Sequence, residues 1–124
     1  MSTITAHTGT RGHSTENTPE AFGVTPVNKV KRVHERGRYD RKTIYEILDA
    51  ALVCHIAYVI DGRPYCTPTS FWREGDHLYW HGSSASRMIR TQREGVPVCL
   101  TVTHLDALVM ARSGFHHSVK YRAV

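Results

Sequence analysis

The chain has 124 residues and a mass of 14.0 kDa, room for one small domain. Its 40% hydrophobic and 22% charged residues exclude a wholly disordered chain, a collagen and a membrane protein. The net charge of +5 suggests a nucleic-acid binder, but the excess is uneven: residues 1–38 hold six Lys/Arg against three Asp/Glu, and residues 39–124 hold ten against eight. A balanced folded part without a basic stripe argues against nucleic acid as a partner.

Residues 1–23 are rich in Thr, Ser, Gly and His and poor in large apolar side chains. Such a stretch buries too little surface to offset the entropy of ordering it. Val24 to Arg38 is basic and punctuated by Pro26 and Gly37, the composition of a linker. Residues 1–38 are therefore expected to form a disordered basic segment, and residues 39–124 the domain. The N-terminus shows no signal-peptide pattern, and the longest apolar run, Ala50 to Ile60, is too short for a bilayer. No membrane partner is expected. Cys54, Cys66 and Cys99 are odd in number and lack CxxC spacing, which suits reduced thiols in a cytoplasmic protein.

Asp40 is a helix cap, and Ile44, Ile47, Leu48 and Ala51 follow at helical spacing, predicting a helix over 41–51. Leu52 to Ile60 is β-branched and aromatic and ends at Asp61-Gly62, a hairpin turn. Tyr65 to Trp72 is the returning strand, and a turn at Glu74-Gly75-Asp76 leads into His77 to His81. A Gly-Ser bend then opens a short helix bearing Ala85, Met88, Ile89 and Gln92, which Gly95 ends. Val96, Val98, Leu100 and Val102 alternate with polar neighbours as a strand. His104-Leu105-Asp106 reads as a turn, and Val119 to Val124 as the opening of a further strand. An open sheet of this size is expected either to pair with a second copy or to be incomplete at its C-terminus.

Three segments have the residue types for chemistry. The first is Trp80-His-Gly-Ser-Ser-Ala-Ser-Arg87, a strand end, a bend and a helix start. The first amides of a helix lack partners and favour an anion. Ser83, Ser84 and Ser86 add hydroxyls and Arg87 a bidentate fork; the alternative is a plain N-cap by Ser83 or Ser84. The second is Tyr65 to Trp72. There Thr67, Thr69 and Ser70 suit the edge of a flat heteroaromatic ring, with Trp72 or Trp80 as a wall; the alternative is threonines facing solvent. The third is Phe115-His116-His117-Ser118, whose adjacent imidazoles point to opposite faces in an extended segment. Nine histidines without an i, i+4 pair or a His/Cys cluster at zinc spacing predict no metal site. The absence of GxSxG and P-loop motifs argues against serine hydrolase and NTPase activity.

Taken in order, several runs resemble flavin-nucleotide-binding members of the pyridoxamine 5′-phosphate oxidase-like superfamily. They are Tyr39-Asp-Arg to His55, Asp61-Gly-Arg-Pro64, Leu78 to Met88, Gly95 to Thr103 and Phe115-His-His-Ser118. The resemblance implies a mainly β chain with flanking helices: an antiparallel, Greek-key-like split β-barrel binding FMN at a homodimer interface. It also implies that this barrel is truncated within residues 39–124, since family members continue with a further strand and helix. Thr67, Thr69 and Ser70 would line the isoalloxazine. Ser83, Ser84, Ser86 and Arg87 would meet the phosphate, and His81 or His117 would be the proton donor if it faced the ring. Tyr121-Arg122 matches a family pair, although Lys120 stands where an asparagine is usual and Ala123 where a serine is. The implied function is an FMN-dependent oxidoreductase acting on an unknown small molecule. The alternative is a non-catalytic module for flavin, haem or a deazaflavin.

Overall fold

The computed structural model describes residues 20–124 and the backbone of residues 2–7; the rest of the expected N-terminal segment lies outside them. Among the described residues, seven strands and two α-helices run in the order β1 (Ser2–His7), α1 (Arg41–Asp49), β2 (Val53–Ile60), β3 (Arg63–Glu74), β4 (His77–Gly82), α2 (Arg87–Arg93), β5 (Cys99–Thr101), β6 (Thr103–Val109) and β7 (Ser118–Ala123). Five strands form one sheet in the order β1-β4-β3-β2-β5, and β6 and β7 form a second. Every pairing is antiparallel, and the sheets do not close into a complete barrel. This is a split-barrel architecture.

Helix α1 starts where Asp40 Oδ2 accepts the Thr43 amide at 3.0 Å. It buries Ile47 and Leu48, with Ile44 and Tyr45 packed beside them. The β2–β3 hairpin turns through Asp61 and Gly62, both at positive φ, as a two-residue Asp-Gly loop requires. That loop fixes the register, so Tyr58 faces Tyr65, Ile56 faces Thr67 and Cys54 faces Thr69. Residues paired in this way share a sheet face. Cys54, Ile56 and Tyr58 point inward and join Phe71, Leu78, Trp80, Met88, Ile89 and Val102 in the core.

Four elements differ from the sequence expectation. Ser2–His7 falls in the stretch expected to lack structure, yet it pairs along β4 from Ser2↔Gly82 to His7↔His77. The open edge of β4 offers unpaired amides and carbonyls, and Thr3, Ile4 and Thr5 are β-branched residues suited to taking them. Residues 20–41 are also tied down: the Phe22 amide donates to Tyr39 O at 2.8 Å and the Arg41 amide to Glu20 O at 2.9 Å. Finally, the strand expected over Val96–Thr103 is confined to β5 and broken at Val102. Pro97 has no amide to give a ladder. Val102 instead exchanges both backbone bonds with Val124, at 2.7 and 3.0 Å, and this carries the chain onto the second sheet. The expected turn at His104–Asp106 is absorbed into β6, where a register shift between Leu105 and Ala107 accommodates the extra residue.

Ion pairs join α1 to the turn end of the sheet. Arg73 Nε donates to Asp49 Oδ1 at 2.7 Å, and its guanidinium lies 3.9 Å from the Tyr45 ring centroid. Asp76 accepts from Arg41 and from the Tyr45 hydroxyl. The Arg73 hydrogen bond holds Asp49 below its ordinary value of 3.8. For Asp76, burial pushes the carboxyl upward, but the hydrogen bonds from Tyr45 and Arg41 outweigh it and leave the value lowered. A carboxylate depressed in the fold contributes stability above its unfolded pKa and loses it as pH falls through the folded one.

Two outcomes are expected. Thermal melts should show a midpoint that changes little from neutral pH to about 5 and falls below about pH 4. Asp49→Asn should lower the neutral midpoint and flatten that acid limb; an unchanged limb would remove this pair as its cause. The second concerns Gly82, where a Cβ would stand 3.0 Å from Ile89 Cγ1. Gly82→Ala should cost about 1–3 kcal/mol by urea unfolding. In Gly82→Ala/Ile89→Ala the loss should be smaller than the sum of the single losses, because the second change removes the clashing atoms.

Candidate functional site

The bend between β4 and α2 is built by a close backbone approach. Gly82 lies against Ile89, and Trp80, 1% exposed, donates its indole N–H to Gln92 Oε1 at 2.9 Å. These two contacts fix α2 on β4 and leave the intervening residues outside the core. Ser83, Ser84 and Ala85 are exposed and Ser86 is half-buried. Within the bend, the Ser86 amide donates to Ser83 O at 2.9 Å and the Ala85 amide to Ser83 Oγ at 3.3 Å. The N-cap of α2 is Ser86, and its side chain makes no capping bond. The plain cap by Ser83 or Ser84 is thus not what forms, and the Ser86 hydroxyl is left without a capping role.

At seven residues, α2 is too short to bring much macrodipole to an anion, so hydroxyls and guanidinium carry the attraction. Arg87, Arg90 and Arg93 occupy the exposed positions of α2, while Met88, Ile89 and Gln92 are buried. The Arg87 guanidinium lies over the Tyr65 ring, 4.8 Å from its centroid. Tyr65 in turn stacks on Tyr58 at 5.6 Å, and the Tyr58 hydroxyl is 3.2 Å from Thr67 Oγ1. Arg87, Tyr65, Tyr58 and Thr67 therefore form one contiguous group at the hairpin end of the sheet's inner face.

The other expected ring-lining residues are divided by the pleat. Thr67 and Thr69 are half-buried on the inner side with Tyr65 and Phe71, rather than facing solvent. Ser70 is exposed on the outer side with Cys66, Pro68 and Trp72. His81 shares that outer side: Trp72 stacks on Tyr79 at 5.5 Å and lies 6.2 Å from His81. Of the two tryptophans considered as a wall, Trp80 is locked in the core, while Trp72 stays 41% exposed. The structure thus brings Thr67 and Arg87 into one group with the serine bend alongside, and sets Ser70 and His81 across the sheet from them. Tyr58 and Tyr65 were not among the expected site residues. Their signal lay in the Asp61-Gly62 loop, whose register sets positions equidistant from the turn opposite each other.

Cys54 is buried in the core, and desolvation pushes its thiol up to about 11, so it is inert at neutral pH. Cys66 and Cys99 are exposed, and both face Ala57 from opposite sides of β2. Two strand spacings separate their backbones by about 10 Å, beyond disulfide reach. No three His, Cys, Asp or Glu residues stand together as a metal site among the described residues. No helix among those residues is long and apolar enough to cross a membrane.

The family model for pyridoxamine 5′-phosphate oxidase matches residues 40–124. No curated protein matches the chain. Among solved structures, the flavocytochrome Anf3 from Azotobacter vinelandii is 46% identical over 85% of this chain and 48% of its own, with a TM-score of 0.74. The FAD and haem binding protein from Mycobacterium smegmatis is 40% identical over 68% of this chain and 41% of its own, with a TM-score of 0.65. The chain therefore spans about half the length of the first and less of the second. The match across β2 to β7, together with the antiparallel split barrel, shows that the chain belongs to the pyridoxamine 5′-phosphate oxidase-like family of flavin-binding proteins.

Proposed function

We propose that this chain is a flavin-binding module whose nucleotide is FMN and whose activity is that of an oxidoreductase. The observation that carries the reading is Arg87 poised over Tyr65 beside an exposed serine bend. A phosphate meeting that bend takes hydroxyls from Ser83, Ser84 and Ser86 and the fork of Arg87. Anchored there, a ring extends along the hairpin end of β3, where Tyr65 supplies an aromatic face and Thr67 and Thr69 supply hydroxyls to its edge. Ser70 and His81, on the far side of the sheet, fall outside the reach of a ring so placed. The flavin, when bound, supplies hydride and electron transfer; the protein binds, orients and shields it. Family resemblance supports a homodimer as the binding unit, and the reduced thiols support a cytoplasmic setting.

A second reading is favoured by the two solved relatives, one a flavocytochrome and the other described as binding FAD and haem. In it the flavin is FAD, and the chain also holds a haem without turning over a substrate of its own.

Arg87→Ala should weaken FMN binding by about 1–3 kcal/mol, the scale of a lost charge-assisted bond, in a titration followed by quenching of flavin fluorescence. Unchanged affinity in a folded variant would move the phosphate elsewhere. Thr67→Val should weaken binding more than Ser70→Ala does; the reverse order would put the ring on the outer face. Tighter binding of FAD than of FMN by the same chain would favour the second reading.

A further inference from the structure

Helix α2 turns more cations to solvent than the flavin reading uses. Arg87, Arg90 and Arg93 recur every third residue, which sets each about 60° round the helix from the last. Met88, Ile89 and Gln92 hold the buried side, so Arg87 and Arg90 straddle the exposed crest opposite them and Arg93 lies on one flank. Arg63 adds a fourth exposed cation. On β3 it precedes Tyr65 at period two and so shares its side, and Tyr65 is the residue beneath Arg87.

These charges are unspent. Elsewhere in the fold Arg41 holds Asp76, Arg73 holds Asp49 and Arg122 holds Asp106. Arg63, Arg90 and Arg93 form no ion pair among the described residues, even though Glu94 directly follows the stripe. The helix dipole favours Arg90 and Arg93 in the last turn, but it opposes Arg87 in the first and has no bearing on Arg63. What all four have in common is exposure beside Tyr65 and the serine bend. Shape selects the partner: small anions bind in hollows whose polar groups converge on them, whereas the crest of a helix is convex and its arginines diverge. Spread along about 9 Å of helix and a neighbouring strand, such charges fit the face of an acidic protein. The contact is of the small, electrostatically steered kind found in transient electron-transfer pairs.

We propose that the exposed face of α2, together with Arg63, is the docking surface for an acidic one-electron carrier protein. The proposal rests on the flavin reading above and names its electron donor. Two reduced carriers dock in turn, and each gives up one electron. With two protons from solvent these convert the flavin to its dihydro form, and two oxidised carriers leave.

The test follows bleaching of the FMN-loaded full chain by a reduced plant-type ferredoxin, a small acidic iron–sulfur protein. The rate should fall at least about tenfold between low salt and about 0.2 M salt, as screening of exposed charges requires. Arg90→Glu/Arg93→Glu should slow it at least about tenfold at low salt, and Arg90→Gln/Arg93→Gln should slow it less. FMN affinity and reduction by dithionite should stay unchanged in both. Arg32→Glu/Arg36→Glu, which changes the net charge equally on the N-terminal segment, should have a small effect. A rate indifferent to salt and to both α2 variants overturns the proposal. Loss of FMN affinity in a folded α2 variant also overturns it, because the stripe then belongs to the nucleotide. Faster reduction by NADPH, with a KM that the α2 variants raise, gives the stripe to a small reductant instead. Duplex DNA bound more tightly than ferredoxin, and released by the same variants, gives it to nucleic acid. If the chain takes up no FMN, the flavin reading falls separately, and calorimetric titration of the flavin-free chain with ferredoxin decides the docking face. Salt-sensitive binding that Arg90→Glu/Arg93→Glu abolishes supports it there, and no binding overturns it.

Discussion

The seating of α2 on β4 is the contact on which the candidate site depends. It needs a residue without a side chain at Gly82, where Ile89 comes within 3.0 Å of the Cβ position, and a buried acceptor at Gln92 for the Trp80 indole. The first lets helix and strand approach; the second fixes their rotation about each other, since a hydrogen bond between two buried side chains tolerates little misalignment. With both in place, the serine bend is pushed out of the core and Arg87 emerges over Tyr65. The same packing leaves Gln92 Nε2 buried without a partner among the described residues, a cost the fold bears at this junction.

The pleat of the sheet is the second organising constraint. Antiparallel pairing assigns alternate residues to opposite faces, so a polar strand such as Tyr65–Trp72 cannot present all its hydroxyls to one ligand. Thr67 and Thr69 go one way with the core, and Ser70 and Trp72 the other way with Tyr79 and His81. The result is two aromatic-polar surfaces back to back. One is continuous with Arg87 and the serine bend; the other is an exposed stack on the outer side.

The second sheet is joined to the first by few bonds. Val102 pairs with Val124, Thr101 Oγ1 donates to Val124 O at 3.0 Å, and the His104 ring lies 2.8 Å from Ile47 O. Val102 is fully buried at this junction, whereas every residue of β7 is exposed. The hairpin is thus anchored at one end and offers its apolar face to whatever completes it. This division of labour gives the chain a packed half, which positions the bend, and a projecting half, which has surface to spare.

Local chemistry was legible in the residues themselves. Asp40 capping a helix, Asp61-Gly62 turning a hairpin and the Gly-Ser bend all act over three or four residues, a range at which propensity and spacing decide. The runs from Tyr39 to Ser118 were likewise enough to suggest the family. What the residues left open depends on partners distant in the chain. Ser2–His7 becomes a strand only because β4 has a free edge, and the strand over Val96–Thr103 breaks only because Val124 comes back to meet Val102. Arg87 finds Tyr65 through a contact that no local pattern encodes. The sequence by itself determined the elements whose cues are local, from α1 to β4, and the residue types that line them. The tertiary structure decided which side chains share a face, because that follows from long-range register and packing rather than from composition.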